Sequence, residues 1–201
     1  MITLKHVTKR FYEKKVLDNV TFRFENGRTY VISGQSGCGK TTLLNILAEY
    51  INVDEGKVEK KESIKVEYLF QDDMLFSNLT VKEHMYIKYV AVCKHNRYFE
   101  QKSVETLALF RIGNLIDRKI AVLSGGERRR VQLALLFMND PDVVLFDEPL
   151  SRLDQQNQYL IAEMISTIFT NKLCIIVTHE CVELFSNAIR LAMAGGKLRN
   201  G

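Results

Sequence analysis

Eight consecutive residues, Gly34-Gln35-Ser36-Gly37-Cys38-Gly39-Lys40-Thr41, constrain this chain more than anything else in it. They fit G-x-x-x-x-G-K-[ST], a phosphate-binding loop whose glycines let backbone N–H groups turn inward around phosphate oxygens. Four fixed positions at average residue usage match by accident in roughly one chain of this length in a hundred. The flanks strengthen the reading. Thr29 to Ser33 reads as a short β-rich run broken by Gly34, and Thr41 to Tyr50 as a helix with Leu43, Leu44, Ile46 and Leu47 on its apolar face. The start of that helix adds positive potential where an anion would sit. Lys40 suits the β- and γ-phosphates, and the Thr41 hydroxyl suits a Mg²⁺ ion. Alone, the loop leaves kinases, small GTPases and many ATPases open.

The rest of the chain supplies a frame for it. Ile2 to Val7 and Val20 to Glu25 read as strands around a polar turn, and strand-like segments lead to Val66-Glu67-Tyr68-Leu69-Phe70. From about Thr80 to Phe137 the pattern is helical, with no convincing strand. Val143 to Phe146 and Leu173 to Val177 are buried-strand runs, and Asp154 is placed to cap a helix from there to Phe169. The two prolines, Pro141 and Pro149, bracket Val143 to Phe146, as they must if that strand is central. Strands alternating with helices predict an α/β core with a parallel sheet, and the helical block between two core strands predicts an inserted helical subdomain. At 201 residues this is one domain able to bury about 70% of its unfolded surface without staples.

Composition excludes several classes. With 46% hydrophobic and 26% charged residues the chain is an ordinary globular protein, and its net charge of +4 is too small and dispersed to indicate nucleic acid. Cys38, Cys93, Cys174 and Cys181 make no CxxC pair, so four reduced thiols are expected rather than a zinc site. No apolar signal segment opens the sequence, and no stretch approaches the ~18–20 apolar residues of a membrane span.

Further candidate groups fall at one sheet edge. In open α/β sheets ligands bind outside the carboxyl ends of the strands. The phosphate loop follows one strand end, Asp147-Glu148 a second, and His179 a third. Asp147 suits the Mg²⁺ shell, and Glu148 can accept a proton from an attacking water. Elsewhere, Leu123-Ser124-Gly125-Gly126-Glu127 contains S-x-x-E, a capping box in which Ser124 caps the helix and Glu127 reaches back. A cap does not account for two glycines in a first turn, where each costs about 1 kcal/mol relative to alanine. Bare backbone at a helix N-terminus is useful when an anion must come close.

Together these motifs resemble the nucleotide-binding subunit of ABC transporters over nearly the whole length. Gly34 to Thr42 resembles Walker A, Gln71 the Q-loop, Leu123 to Glu127 the signature, and Val143 to Glu148 Walker B with its catalytic glutamate. Ser151-Arg152-Leu153-Asp154 resembles the D-loop and His179 the switch histidine. Lys40 lies 31 residues before Gln71, Gln71 lies 53 before Ser124, and Glu148 lies 31 before His179, intervals that agree with the family.

The resemblance implies a P-loop NTPase (RecA-like) core with a parallel sheet, an N-terminal antiparallel β subdomain and an inserted helical subdomain. The core is expected over about 1–71 and 138–201, and the helical subdomain over about 72–137. It implies ATP and Mg²⁺ as cofactors. Lys40, Gln71, Glu148 and His179 would be catalytic, and Thr41, Gln71 and Asp147 would hold the metal. The nucleotide would meet Phe11 through its adenine, the loop residues Gly34 through Thr42, and Ser124, Gly125, Gly126 and Glu127 of a second subunit packed head to tail.

The expected role is an ATP-hydrolysing subunit that powers a separate membrane permease, peripheral on the cytoplasmic face of the cell membrane. The alternative is a soluble ABC ATPase acting on DNA or the ribosome. Chromosome-type members separate the Walker motifs by a very long coiled coil, whereas here Lys40 and Asp147 are 107 residues apart. Translation-type members usually carry two cassettes. No nucleic-acid partner is therefore expected, and Arg128-Arg129-Arg130 is read as a solvated or partner-facing stripe. Tyr68-Leu69-Phe70-Gln71 leans towards the ATPases of bacterial peptide or bacteriocin exporters.

Some positions depart from the family pattern: Glu127 where Gln is commoner, Arg152 where the D-loop usually has a small residue, and Leu135 in place of an arginine. The segment Asp72 to Leu79, with Leu75, Phe76 and Leu79, is expected to dock the permease, and Cys38 is expected to be reactive.

Overall fold

The structure, a computed structural model, describes residues 1–92 and 98–201; Cys93 lies outside the described residues. Two sheets make the frame. The smaller contains β1 (Ile2–Phe11), β2 (Lys14–Phe24) and β4 (Glu55–Lys60), all antiparallel in the order β2-β1-β4. The larger has six strands in the order β5-β6-β7-β3-β8-β9. These are β3 (Thr29–Ser33), β5 (Val66–Leu69), β6 (Val143–Asp147), β7 (Leu173–Val177), β8 (Ile189–Ala194) and β9 (Lys197–Asn200). All pair in parallel except β8 with β9.

The five-residue strands β6 and β7 are buried on both faces, which is why they read as unbroken apolar runs rather than alternations. Their side chains divide by parity between two cores. Val144, Phe146, Cys174 and Ile176 join the core under the helices, while Val143, Leu145, Leu173, Ile175 and Val177 join the core beneath the small sheet. The second core also takes Leu43, Leu44, Ile46 and Leu47 from α1 (Lys40–Leu47), so the apolar stripe read from the sequence is the buried one.

Between the adjacent strands β5 and β6 the described residues form three α-helices: α2 (Val81–Val92), α3 (Phe99–Leu109) and α4 (Gly125–Phe137). A fourth connection helix, α5 (Gln155–Ile168), joins β6 to β7, and Asp154 caps it by accepting the Asn157 N–H at 2.9 Å. Because β3, β5, β6 and β7 are parallel, the segments that leave them all emerge at one edge of the sheet.

Two sequence expectations are refined. Lys14 to Asn19 belongs to β2 rather than to a turn, its exposed charged residues facing solvent along an irregular register with β1. Residues 189–200 form β8 and β9 at the far edge, where Leu191 and Met193 are the only buried apolar side chains.

Candidate functional site

Beyond β3 the chain turns through Gly34 to Gly39 into α1. Gly39 holds φ at +109°, and a Cβ there would lie 2.9 Å from the Val16 carbonyl oxygen, so only glycine fits. Lys40 is buried, and its Nζ donates to the carbonyls of Gly34 at 2.7 Å and Gln35 at 3.1 Å. An ammonium has three donors, so the loop that holds Lys40 leaves one for an anion. Cys38 is partly buried against the core beneath the small sheet.

The end of β6 brings two carboxylates to the same place. Asp147 is 3% exposed; its Oδ2 accepts the Tyr68 hydroxyl at 3.2 Å, and its Oδ1 is buried without a partner. Burial raises the Asp147 pKa above its ordinary value, against the opposing pull of the neighbouring Thr41 and Tyr68 hydroxyls. An orphaned, desolvated carboxylate oxygen beside a phosphate loop has the donor chemistry that a hard divalent cation needs.

Glu148 lies in the left-handed region at φ +48°, unusual for a side chain of this size. Its N–H donates to the Val177 carbonyl at 2.9 Å and its own carbonyl accepts the Ser151 N–H at 3.2 Å, so both flanks hold the strained turn. The turn puts the Glu148 carboxylate against the end of β7, where Oε1 lies 2.6 Å from His179 Nδ1 and Oε2 3.4 Å from the His179 N–H. The hydrogen bond to Glu148, and then its charge, raise the His179 pKa.

Lys40, Thr41, Thr42, Gln71, Asp147, Glu148 and His179 line one cavity of about 330 Å³ together with Ser36, Gly37 and Gly39. Val16 of β2 lines it too, a residue that no motif pointed to and that only the packing of the small sheet on the loop could reveal. Phe11 does not line the cavity; it ends β1, 44% exposed, with Lys9 Nζ 5.5 Å from its ring centroid. Ser124, Gly125, Gly126 and Glu127 do not line it either. They start α4, where the capping box forms as read: Glu127 N–H donates to Ser124 Oγ at 3.3 Å and Ser124 N–H to Glu127 Oε2 at 2.8 Å. The Ser124 backbone N–H, followed by its hydroxyl, holds the Glu127 carboxyl below its ordinary pKa.

The two glycines differ. A Cβ on Gly126 would overlap Asn157 Oδ1, an atom of the side chain that bonds the α5 cap, whereas one on Gly125 would meet only Leu153 at 3.8 Å. Packing within the chain accounts for Gly126 and not for Gly125.

No helix among the described residues is long and apolar enough to cross a membrane, and no cluster there of three or more His, Cys, Asp or Glu could hold a metal. Cys38, Cys174 and Cys181 are free.

The chain was compared with known proteins. It is 30% identical, over 96% of its length, to the ABC transporter ATP-binding protein y4oS of Sinorhizobium fredii. It spans only 55% of that relative. Among solved structures it is similar to MJ1267, an ATP-binding cassette of an ABC transporter, with a TM-score of 0.88 at 21% identity over 98% of this chain and 89% of that one. It is also similar to the bacterial ABC transporter cassette MJ0796, solved as a dimer, with a TM-score of 0.83 at 24% identity over 98% of this chain and 96% of that one. These two likenesses establish the fold. The family model for ABC transporters matches residues 17–151, from β2 through the loop after β6, and the chain therefore belongs to the ABC transporter family as an ATP-binding domain.

Proposed function

We infer that this chain binds ATP with Mg²⁺ and hydrolyses it, and that hydrolysis powers a separate membrane permease. The observation that carries the reading is the single cavity on which four strand ends converge, bringing Lys40 and Thr41, Gln71, Asp147, and the Glu148–His179 pair together. Lys40 would hold the β- and γ-phosphates with its remaining donor. Thr41, Gln71 and Asp147 would hold Mg²⁺, which when bound neutralises phosphate charge. Glu148 would take the proton of an attacking water, and His179 keeps its carboxylate aimed by a 2.6 Å contact.

Residues 72–137 would act as a helical subdomain set into a core of 1–71 and 138–201. Its signature turn would serve the nucleotide of a second copy or a related subunit, packed head to tail. Ser124 Oγ accepts from the Glu127 N–H, and its exposed O–H, which leans on the Glu127 carboxylate, would turn to a partner's phosphate. Gly125, exposed and free of close contacts, leaves the backbone open to the same anion. The adenine would lie towards β1 and β2, with Phe11 and Val16 as its candidate contacts.

The permease would dock beside the Gln71 loop. Phe76 is 63% exposed yet fixed: its N–H donates to His84 Nε2 at 2.9 Å, while His84 Nδ1 lies 2.9 Å from the Thr80 carbonyl. Those partners select one neutral tautomer, Nδ1–H donating and Nε2 accepting. Alongside runs an apolar groove of about 520 Å³ walled by Tyr50, Phe70, Met74, Leu75 and Ile87. Tyr50 and Phe70 stack at 5.9 Å with their planes 9° apart. Such a place suits the chain on the cytoplasmic face of a membrane without spanning it. MJ0796 is described in a state bound to ADP and Pi, which favours hydrolysis as the shared chemistry.

Two measurements test the reading. Phosphate release from MgATP should be lost in Lys40→Ala, and a wild-type protein that releases none contradicts an ATPase role. Affinity purification from membranes should retain a polytopic membrane protein; retention of ribosomes or DNA instead would favour the soluble alternative.

A further inference from the structure

The loop that leaves β5 is gripped by side chains from two other elements, and the roles given above do not account for the grip. Arg129 of α4 is 7% exposed, and its Nη1 donates to the Phe70 carbonyl at 3.3 Å and to Gln132 Oε1 at 3.2 Å. Gln132 Nε2 then donates to Asp73 Oδ1 at 3.3 Å. Two outer ion pairs flank this chain of bonds, Arg128 with Asp73 at 3.4 Å and Arg152 with Asp72 at 3.5 Å. Exposed pairs of that kind are worth about 0–1 kcal/mol each.

Arg129 is a different case. Burial lowers its pKa, with Asp73 offsetting only part of the effect, and it forms no ion pair among the described residues. A buried guanidinium held by a carbonyl and an amide is a poor way to fill a helix face, since an apolar side chain of similar length avoids the desolvation cost. Its location supplies a reason to keep it. The peptide group it holds joins Phe70 to Gln71, and Gln71 lines the phosphate cavity. The helix that carries it begins at Ser124, five residues earlier and about 7.5 Å along the axis. One part-buried hydrogen bond thus ties the loop that lines this chain's own cavity to the helix whose start is proposed to meet a second nucleotide.

We propose that Arg129 is a positioning residue that fixes Gln71 and the Ser124 end of α4 in one spatial relation, with Gln132 and Asp73 completing the tie. The proposal rests on the ATPase reading above.

The test uses Arg129→Met and Arg129→Lys in the full chain. Arg129→Met should lower kcat about ten- to a hundredfold, the scale of a small misplacement in an active site. Its KM for ATP should stay within about twofold, because Lys40 and Thr41 hold the phosphates without α4. Arg129→Lys, whose ammonium can still donate to the Phe70 carbonyl, should recover much of the loss. An unchanged kcat in Arg129→Met overturns the proposal. So does a joint loss of kcat, MgATP affinity and cooperative unfolding, which would make Arg129 plain core, or a folded Arg129→Lys no better than Arg129→Met. A wild-type protein that binds MgATP without hydrolysing it would instead contradict the ATPase reading. The tie is then read from MgATP-induced dimerisation in the same variants, where Arg129→Met should weaken it and an unchanged dimer overturns the proposal.

Discussion

Asp147 and His179 respond in opposite ways to one environment, and each response can be measured. Asp147 is an acid whose pKa burial raises, so folding favours its protonated form. The cost of its charge sets in as pH climbs from the unfolded value of 3.8 towards the higher folded one, and stays in force above. Asp147→Asn should therefore raise the melting temperature of the metal-free protein. A gain of about 1 kcal/mol corresponds to roughly 2–4 °C at this size. The same change should weaken Mg²⁺-dependent ATP binding, whereas a lower melting temperature would mean that Asp147 is not a strained acid. His179 has the opposite sign. Its pKa is raised by Glu148, so the stability gained from the pair is complete below the unfolded value of 6.5 and fades as pH rises through the folded one. Proton NMR should find the His179 imidazole titrating above 6.5, and Glu148→Gln should bring it back down; no movement on that substitution would remove the pair from the account. The identity of these two residues could be read from their motifs, but their 2.6 Å contact could not. It depends on the positive φ at Glu148, which a strand-end Asp-Glu does not announce.

At the scale of elements, α4 carries the sharpest contrast between folding and function. Its capping box was legible because four residues suffice to make it, and Ser124→Ala should lower stability by about 1 kcal/mol in thermal unfolding. Gly125→Ala should do the reverse: with only Leu153 near, the added methyl should leave the melting temperature unchanged or slightly higher. It should nevertheless weaken MgATP-dependent association, and a variant with normal association would leave Gly125 without a role at an anion site. The segment proposed to dock the permease separates in the same way. Leu75 packs partly against the core under the helices, whereas Phe76 projects from it. Phe76→Asp should spare ATP hydrolysis by the isolated chain and abolish coupling to the permease, while collapse of both would make Phe76 a structural residue. Neither the Gly126–Asn157 contact nor the Arg129 grip on Phe70 could be read from sequence, because each depends on how α4 lies against α5 and the end of β5. Strands β8 and β9 escaped for a simpler cause: an edge hairpin with two fully buried side chains lacks the apolar run that marks β6 and β7.

At the scale of the molecule, the sheet order places β7 between β6 and the loop-bearing β3, and the parallel sense of these strands brings their ends together. That convergence was legible because motifs at strand ends must share an edge once the strands are parallel. Ser124 and its glycines do not line the cavity that holds Lys40, Gln71, Asp147, Glu148 and His179, so under the proposed function one chain would hold two half-sites for a second chain to complete. Under the proposed function, MgATP joins those halves across two subunits. Glu148→Gln keeps shape and hydrogen-bonding reach but removes the proposed base, so hydrolysis should fall by about 10²–10⁴-fold while MgATP still binds. Uncleaved nucleotide should then hold two chains together. Light scattering during size-exclusion chromatography of Glu148→Gln should show a shift from monomer to dimer with MgATP, and Ser124→Arg added to it should abolish the shift. A variant that stays monomeric while MgATP binding is measured in the same sample would contradict the claim.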